Sequence, residues 1–105
     1  MTLTELFRDE SKWAQGNYAY ARNGKVVDPC SRNAICWCLI GAMHKCYRGR
    51  IDEELAHIAR KAIGTVHYAT LWNDNPNRTF SQIKSAAKRI DAAMAKLIAK
   101  EIKGV

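Results

Sequence analysis

The apolar residues of this chain recur at helical spacing over most of its length. The clearest case lies at the C-terminal end. Phe80, Ile83, Ala87, Ile90, Met94, Leu97 and Ile98 share one face of a helical wheel. Lys84, Lys88, Arg89, Lys96, Lys100 and Lys103 fall on the opposite side. Thr79-Phe80-Ser81-Gln82 has the form of a capping box, in which the first and fourth side chains satisfy each other's backbone N–H groups. The pattern predicts a long helix from Thr79 to about Ile102. Glu101 falls near the centre of its apolar stripe, so packing is expected to end just before it.

A second stripe, Leu55, Ile58, Ala59 and Ala62, follows Asp52-Glu53-Glu54 and stops at Gly64. Acidic residues in a first turn complement the helix dipole, so a helix is predicted here. From Ala34 to Tyr47 only His44 and Lys45 are strongly polar. A helix apolar on nearly every side is buried on nearly every side. Asp28-Pro29 suits its approach, because proline is favoured at a first helical position. The reading is a central core helix over Ala34–Tyr47, with the last helix packed on it through Ile83, Ile90, Met94 and Leu97. Ala34, Cys38, Gly41 and Ala42 form a small-residue side that would admit a neighbouring helix at close range.

The N-terminal third is less regular. Thr2-Leu3-Thr4-Glu5 is another capping box, and Leu3, Leu6, Phe7 and Trp13 predict a first helix ending near Gly16. Arg22-Asn23-Gly24 lies between Tyr18–Ala21 and Lys25–Asp28. Asn-Gly between short runs signals a β-hairpin, with a structured loop as the alternative. Thr65 to Trp72 is open between a short helix and an extended segment. Asn73 to Asn77 is dense in turn formers and is read as a loop. The expected fold class is mainly α: one small helical domain of about four helices over residues 1–105, with or without a short hairpin near 18–28. No repeat or low-complexity segment interrupts it.

Length and composition agree, since 105 residues with 48% hydrophobic content suit one modest core. The longest apolar run is far short of the roughly 20 residues of a membrane span. The N-terminus lacks the basic and apolar regions of a signal peptide, so a cytoplasmic location is expected. Cytosolic thiols are normally reduced, which argues against disulfides among Cys30, Cys36, Cys38 and Cys46. Their spacing offers no C-x2-C or C-x4-C pair, and on one helix Cys36 and Cys38 would point about 160° apart. They are read as small buried hydrophobes. No metal and no cofactor is expected.

The formal charge is +7, with the excess in the middle and C-terminal portions. A basic surface attracts nucleic acid, phosphorylated ligands, anionic lipid or an acidic protein without choosing among them. Gly16, Gly24, Gly41, Gly49, Gly64 and Gly104 stand alone, so no glycine-rich phosphate loop is present. There is no zinc-finger or RNA-binding motif, and the third and fourth helices are too far apart for a helix-turn-helix.

Two segments carry a family resemblance. One is Ala34-Ile-Cys-Trp-Cys-Leu-Ile-Gly-Ala-Met43. The other is Leu71-Trp-Asn-Asp-Asn-Pro-Asn-Arg-Thr79, followed by an amphipathic helix. In this order they resemble the DUF6197 type of small phage and bacterial proteins, over roughly residues 3–98. The lysine-rich tail of the last helix departs from that pattern. The resemblance implies a phage or prophage origin and supplies no catalytic residues.

Trp72, Asn73, Asn75 and Arg78 form the candidate ligand site. Trp72 offers a flat face, the asparagines offer directional hydrogen bonds, and Arg78 offers a fork for phosphate or carboxylate beside a helix N-terminus. The alternative is that Trp72 anchors the loop while Asn73 and Asp74 tie the turn. The row Lys84, Lys88, Arg89, Lys96, Lys100 and Lys103 is either an interface or a solvated face partly paired with Asp91. His44, His57 and His67 show no metalloprotease spacing, and His44 could meet a cysteine only through the fold. The expectation is a non-enzymatic phage-type accessory protein that binds a host protein or a small anionic ligand. A nucleic-acid-binding module is the alternative. A small Cys/His enzyme is a third class.

Overall fold

In the computed structural model, which describes residues 1–104, the capping box at Thr79 is formed and opens the longest helix. Thr79 Oγ1 accepts from Gln82 N, and Gln82 Oε1 accepts from Thr79 N. The elements are α1 (Leu3–Leu6), a 3₁₀ turn (Glu10–Lys12), β1 (Ala19–Ala21), β2 (Ala34–Trp37), α2 (Leu39–Cys46), α3 (Asp52–Ile63), α4 (Ala69–Asp74) and α5 (Phe80–Lys103). The fold is mainly α with a two-stranded antiparallel sheet. The five helices include two of only one to two turns, α1 and α4.

Both stripes read from the sequence are present. Along α5, Ile83, Ala87, Ile90 and Met94 are buried. Leu97 and Ile98 are half-buried, where the core thins toward Glu101. Arg50 bonds both Glu54 and Glu101, so the acid on the apolar stripe meets a cation where packing ends. α3 buries Leu55 and Ala59, and Gly64 closes it at φ 80°, in the left-handed region that glycine favours. α5 packs chiefly on α3 and α1, not on α2 as the sequence suggested.

The apolar run Ala34–Tyr47 is two elements instead of one helix. Residues 34–37 are extended and pair with β1, Ala19 opposite Trp37 and Tyr20 opposite Cys36. Ala34 and Trp37 are buried, Cys36 is half-buried and Ile35 is exposed, and the break in alternation coincides with the irregular register between Tyr20 and Ala21. A continuous apolar run fits either a buried strand or a buried helix, and Ile35 and Trp37 favour the strand. The helix begins only after Cys38, whose Sγ accepts from Gly41 N at 3.4 Å. Pro29 starts no helix. It lies in a turn tied by Asp28 Oδ1 to Cys30 N, and Trp37 Nε1 donates to its carbonyl. The neighbour that Gly41 admits is the backbone of Tyr18, not a helix.

The Asn23-Gly24 turn is closed, with Gly24 at φ 82° and Ala21 N bonded to Lys25 O. It brings Val26 against Tyr20 as a single bridge, while the ladder partner of β1 is β2. The first helix ends at Leu6 rather than near Gly16, and Asp9 then caps the separate 3₁₀ turn. α1 is held from far along the chain. Asp91 accepts from Leu3 N, Thr4 N and Thr4 Oγ1, and from the Tyr47 hydroxyl at 2.7 Å. Its carboxylate occupies the positive end of α1 instead of pairing with the lysine row.

Candidate functional site

The segment Trp72–Arg78 divides between helix and turn. Trp72, Asn73 and Asp74 are the last residues of α4, so the expected loop shrinks to Asn75–Arg78. Asn73 is fully buried. Its Oδ1 accepts from Trp13 Nε1 at 3.0 Å and Leu39 N at 3.1 Å. Its Nδ2 donates to Ala14 O at 3.0 Å and Asp74 Oδ1 at 2.9 Å. Two lone pairs and two N–H groups are thus all engaged, and none faces a ligand. Asn75 is exposed, and its Oδ1 accepts from Asn77 N as a turn-closing bond.

Arg78 and Trp72 do meet. The guanidinium carbon lies 3.7 Å from the Trp72 ring centroid. Arg78 Nε donates to Trp72 O at 2.8 Å, and Nη1 donates to Gln82 Oε1 at 3.3 Å. The arginine ties α4 to the start of α5. Trp72, Asn73, Asn75 and Arg78 therefore do not converge on one concavity.

Trp72 instead borders a depression of about 220 Å³ with Ile63, Gln82, Ala86 and Arg89. Arg89 also borders a larger groove of about 490 Å³ between α3 and α5. The groove has Ile58, Ala62, Ala93 and Leu97 as apolar lining and Lys61, Arg89, Lys96 and His57 as its polar residues. No carboxylate lines either depression. Two of the six basic residues singled out from the sequence, Arg89 and Lys96, belong here. Lys84 lies on another side of α5, its Nζ 5.9 Å from the Phe80 ring, and Lys88, Lys100 and Lys103 are exposed outside the groove. None of the six forms an ion pair among the described residues.

Sequence reasoning missed the α3 half of this groove. Ile58 and Ala62 are legible in the sequence only as members of an apolar stripe. The available signal was Ala92-Ala93 between Arg89 and Lys96. Small side chains on a helix flank leave room beside a neighbouring helix.

The cysteines are dispersed. Cys38 is buried, and burial pushes its thiol up to about 11. Burial likewise pushes Cys46 up to about 11. Both are protonated near neutrality and are poor nucleophiles. Cys30 is exposed, contrary to its reading as a buried hydrophobe. Its Sγ contacts the backbone oxygen of His44 at 3.4 Å, and the His44 ring instead bonds Asp52 at 2.8 Å. Tyr18 also donates to Asp52 at 2.8 Å and stacks on His44. Among the described residues, no three His, Cys, Asp or Glu groups are arranged to hold a metal ion, and no helix is long and apolar enough to cross a membrane.

The model of a family of unknown function, DUF6197, matches residues 4–95. Lys96, Lys100 and Lys103 lie beyond the matched region. No curated protein and no solved structure matches the chain.

Proposed function

We propose that this chain, which belongs to the DUF6197 family, is a binding protein whose α3–α5 face takes an acidic amphipathic helix of a partner protein. The observation that carries this reading is the groove itself, an apolar lining edged by Lys61, Arg89 and Lys96 with no acid. An amphipathic helix lays its apolar stripe in such a groove, and its flanking carboxylates meet the cations. From Ser81 to Leu97 the two depressions follow α5 for roughly 24 Å at 1.5 Å per residue, or about four turns of a partner helix. A purely phosphate-tracking surface would not need the apolar lining. The phage-type accessory role implied by the resemblance makes the partner a bacterial host protein, modulated or blocked by having its helix covered.

The test is affinity capture from bacterial lysate with wild type, Arg89→Glu/Lys96→Glu, and Lys84→Glu/Lys88→Glu. The expected result is a protein partner lost with the first double variant and retained with the second, with cross-links mapping to Lys61 and Lys96. Equal capture by all three would remove the groove from the reading. Recovery of nucleic acid, with gel shifts fading steeply as salt rises, would favour the nucleic-acid-binding alternative instead.

A further inference from the structure

A further concavity shares no lining residue with the α3–α5 face. It is a cleft of about 700 Å³ between the Asn23-Gly24 turn and the loop that leads into β2. Arg22 and Lys25 reach it from one side and Arg32 from the other. None of these three cations makes a side-chain hydrogen bond or an ion pair among the described residues. No carboxylate lines the cleft.

The backbones that carry the cations are fixed. Gly24 N bonds Ala21 O, and Lys25 N bonds Asn23 Oδ1. On the facing loop, Asn33 N bonds Ser31 Oγ and Ala34 N bonds Ser31 O. Three cations around one cleft with no carboxylate among its lining make a local positive potential that attracts an anion. Between them lie Val26, 58% exposed, and Ile35, 38% exposed. Aliphatic side chains left in water beside unpaired cations describe a ligand with both a flat apolar part and a dense negative charge. The volume lies within the roughly 300–1,000 Å³ of small-molecule sites.

We propose that this cleft binds a nucleoside triphosphate or a closely similar polyphosphorylated ligand. The phosphates meet the guanidinium forks of Arg22 and Arg32 and the Lys25 ammonium, and the base packs on Val26 and Ile35. The cations surround one cleft instead of forming a track, which suits a single compact polyanion better than a nucleic-acid backbone.

The experiment is a titration of isotope-labelled full-length protein, followed by backbone amide shifts at about 0.15 M salt. The probes are ATP, inorganic triphosphate, adenosine and a short oligothymidylate. ATP is expected to shift amides within residues 21–35 and to bind more tightly than inorganic triphosphate or adenosine. Arg22→Ala/Arg32→Ala should weaken ATP at least about tenfold with an unchanged melting temperature, because neither side chain bonds the fold. Val26→Ser should weaken ATP and leave inorganic triphosphate unaffected. Arg89→Glu/Lys96→Glu should bind ATP as wild type does, which separates this site from the groove. The proposal is overturned if millimolar ATP leaves these amides unmoved, or if ATP and inorganic triphosphate bind equally and ignore Val26→Ser. Tighter binding of the oligothymidylate at the same amides would overturn it as well.

Discussion

The indole N–H of Trp13 donates to Asn73 Oδ1 at 3.0 Å, across 60 residues of chain. The same oxygen takes Leu39 N at the start of α2. Asn73 thereby joins the chain before β1, the first turn of α2 and the end of α4. Gln15 reinforces the joint by donating to Asn73 O, at a helix C-terminus, and to Asn75 O, which also accepts from Arg78 N. Gly16 N bonds Asp74 Oδ1 beside it. The Trp-Asn-Asp segment is therefore the clasp between the N-terminal third and the helical body.

Asn73→Ala is expected to cost on the order of 3–5 kcal/mol, because it strands the Trp13 indole, Leu39 N and Ala14 O in the interior. Asn73→Asp should also be damaging, since it removes both donors and places a charge beside Asp74. Urea unfolding followed by far-ultraviolet circular dichroism measures both. A loss under about 1 kcal/mol for Asn73→Ala would show that water replaces the side chain.

Gly41→Ala is expected to be among the most disruptive single-methyl changes in the chain. A Cβ at Gly41 would lie 1.9 Å from Tyr18 O and 2.7 Å from Tyr18 C, both backbone atoms. The chain entering β1 would have to retreat, breaking the bond from Cys38 N to Tyr18 O. A cost of about 3 kcal/mol or more is expected, at the upper end for overpacking. A melting temperature within a degree or two of wild type would mean that this contact relaxes freely.

These two residues also show why the sequence was only partly legible. α3 and α5 could be read because their caps and stripes are local. The Gly64 stop, the Asp52-Glu53-Glu54 start and the Thr79–Gln82 box each act within four residues. The carboxylate that holds the start of α1, Asp91, lies 87–88 residues away and leaves no local mark in the sequence. Residues 34–37 become a strand because β1 lies beside them, and no periodicity inside the run records that. Asn73 looked like a turn former, and only the assembled fold shows that both halves of its amide are buried and used. The candidate cations were visible as a count, but the groove around Arg89 and Lys96 needed the approach of α3.

Stability should fall at both ends of the pH scale through one side-chain cluster. Burial, then the hydrogen bond to Asp52, pushes the Tyr18 hydroxyl up from 10.0 to about 12. The unfolded chain then releases this proton first, so the contribution is complete below about pH 10 and is lost as pH rises through about 12. Asp52 is held below its ordinary value, first by the hydrogen bond from His44 and also by that from Tyr18. Its contribution is present above the ordinary carboxylate value and fades as pH falls through the lowered one. Asp52→Asn should be less stable than wild type at neutral pH, and the gap should close in strong acid. Tyr18→Phe should flatten the alkaline decline. A gap for Asp52→Asn that persists unchanged at about pH 2 would contradict the assignment.

The last prediction concerns Arg78, which the sequence offered as an anion-binding fork. On that reading, Arg78→Ala would abolish binding and leave stability intact. The structure points the other way for stability. Arg78 is half-buried, lies 3.7 Å from the Trp72 ring centroid and bonds the Trp72 carbonyl. Arg78→Ala loses the cation–π contact and a charge-assisted hydrogen bond, with an expected cost of about 1–3 kcal/mol. Arg78→Lys keeps the charge but not the planar fork, and should recover less than half of the loss. A double-mutant cycle with Trp72→Leu isolates the pair, and a coupling near zero would show that the two residues act separately. The partner assay completes the distinction. If Arg78→Ala weakens capture only as far as it weakens the fold, while Arg89→Glu/Lys96→Glu abolishes capture in a stable protein, Arg78 acts by positioning α4 and α5. Abolished capture with unchanged stability would return Arg78 to the binding surface.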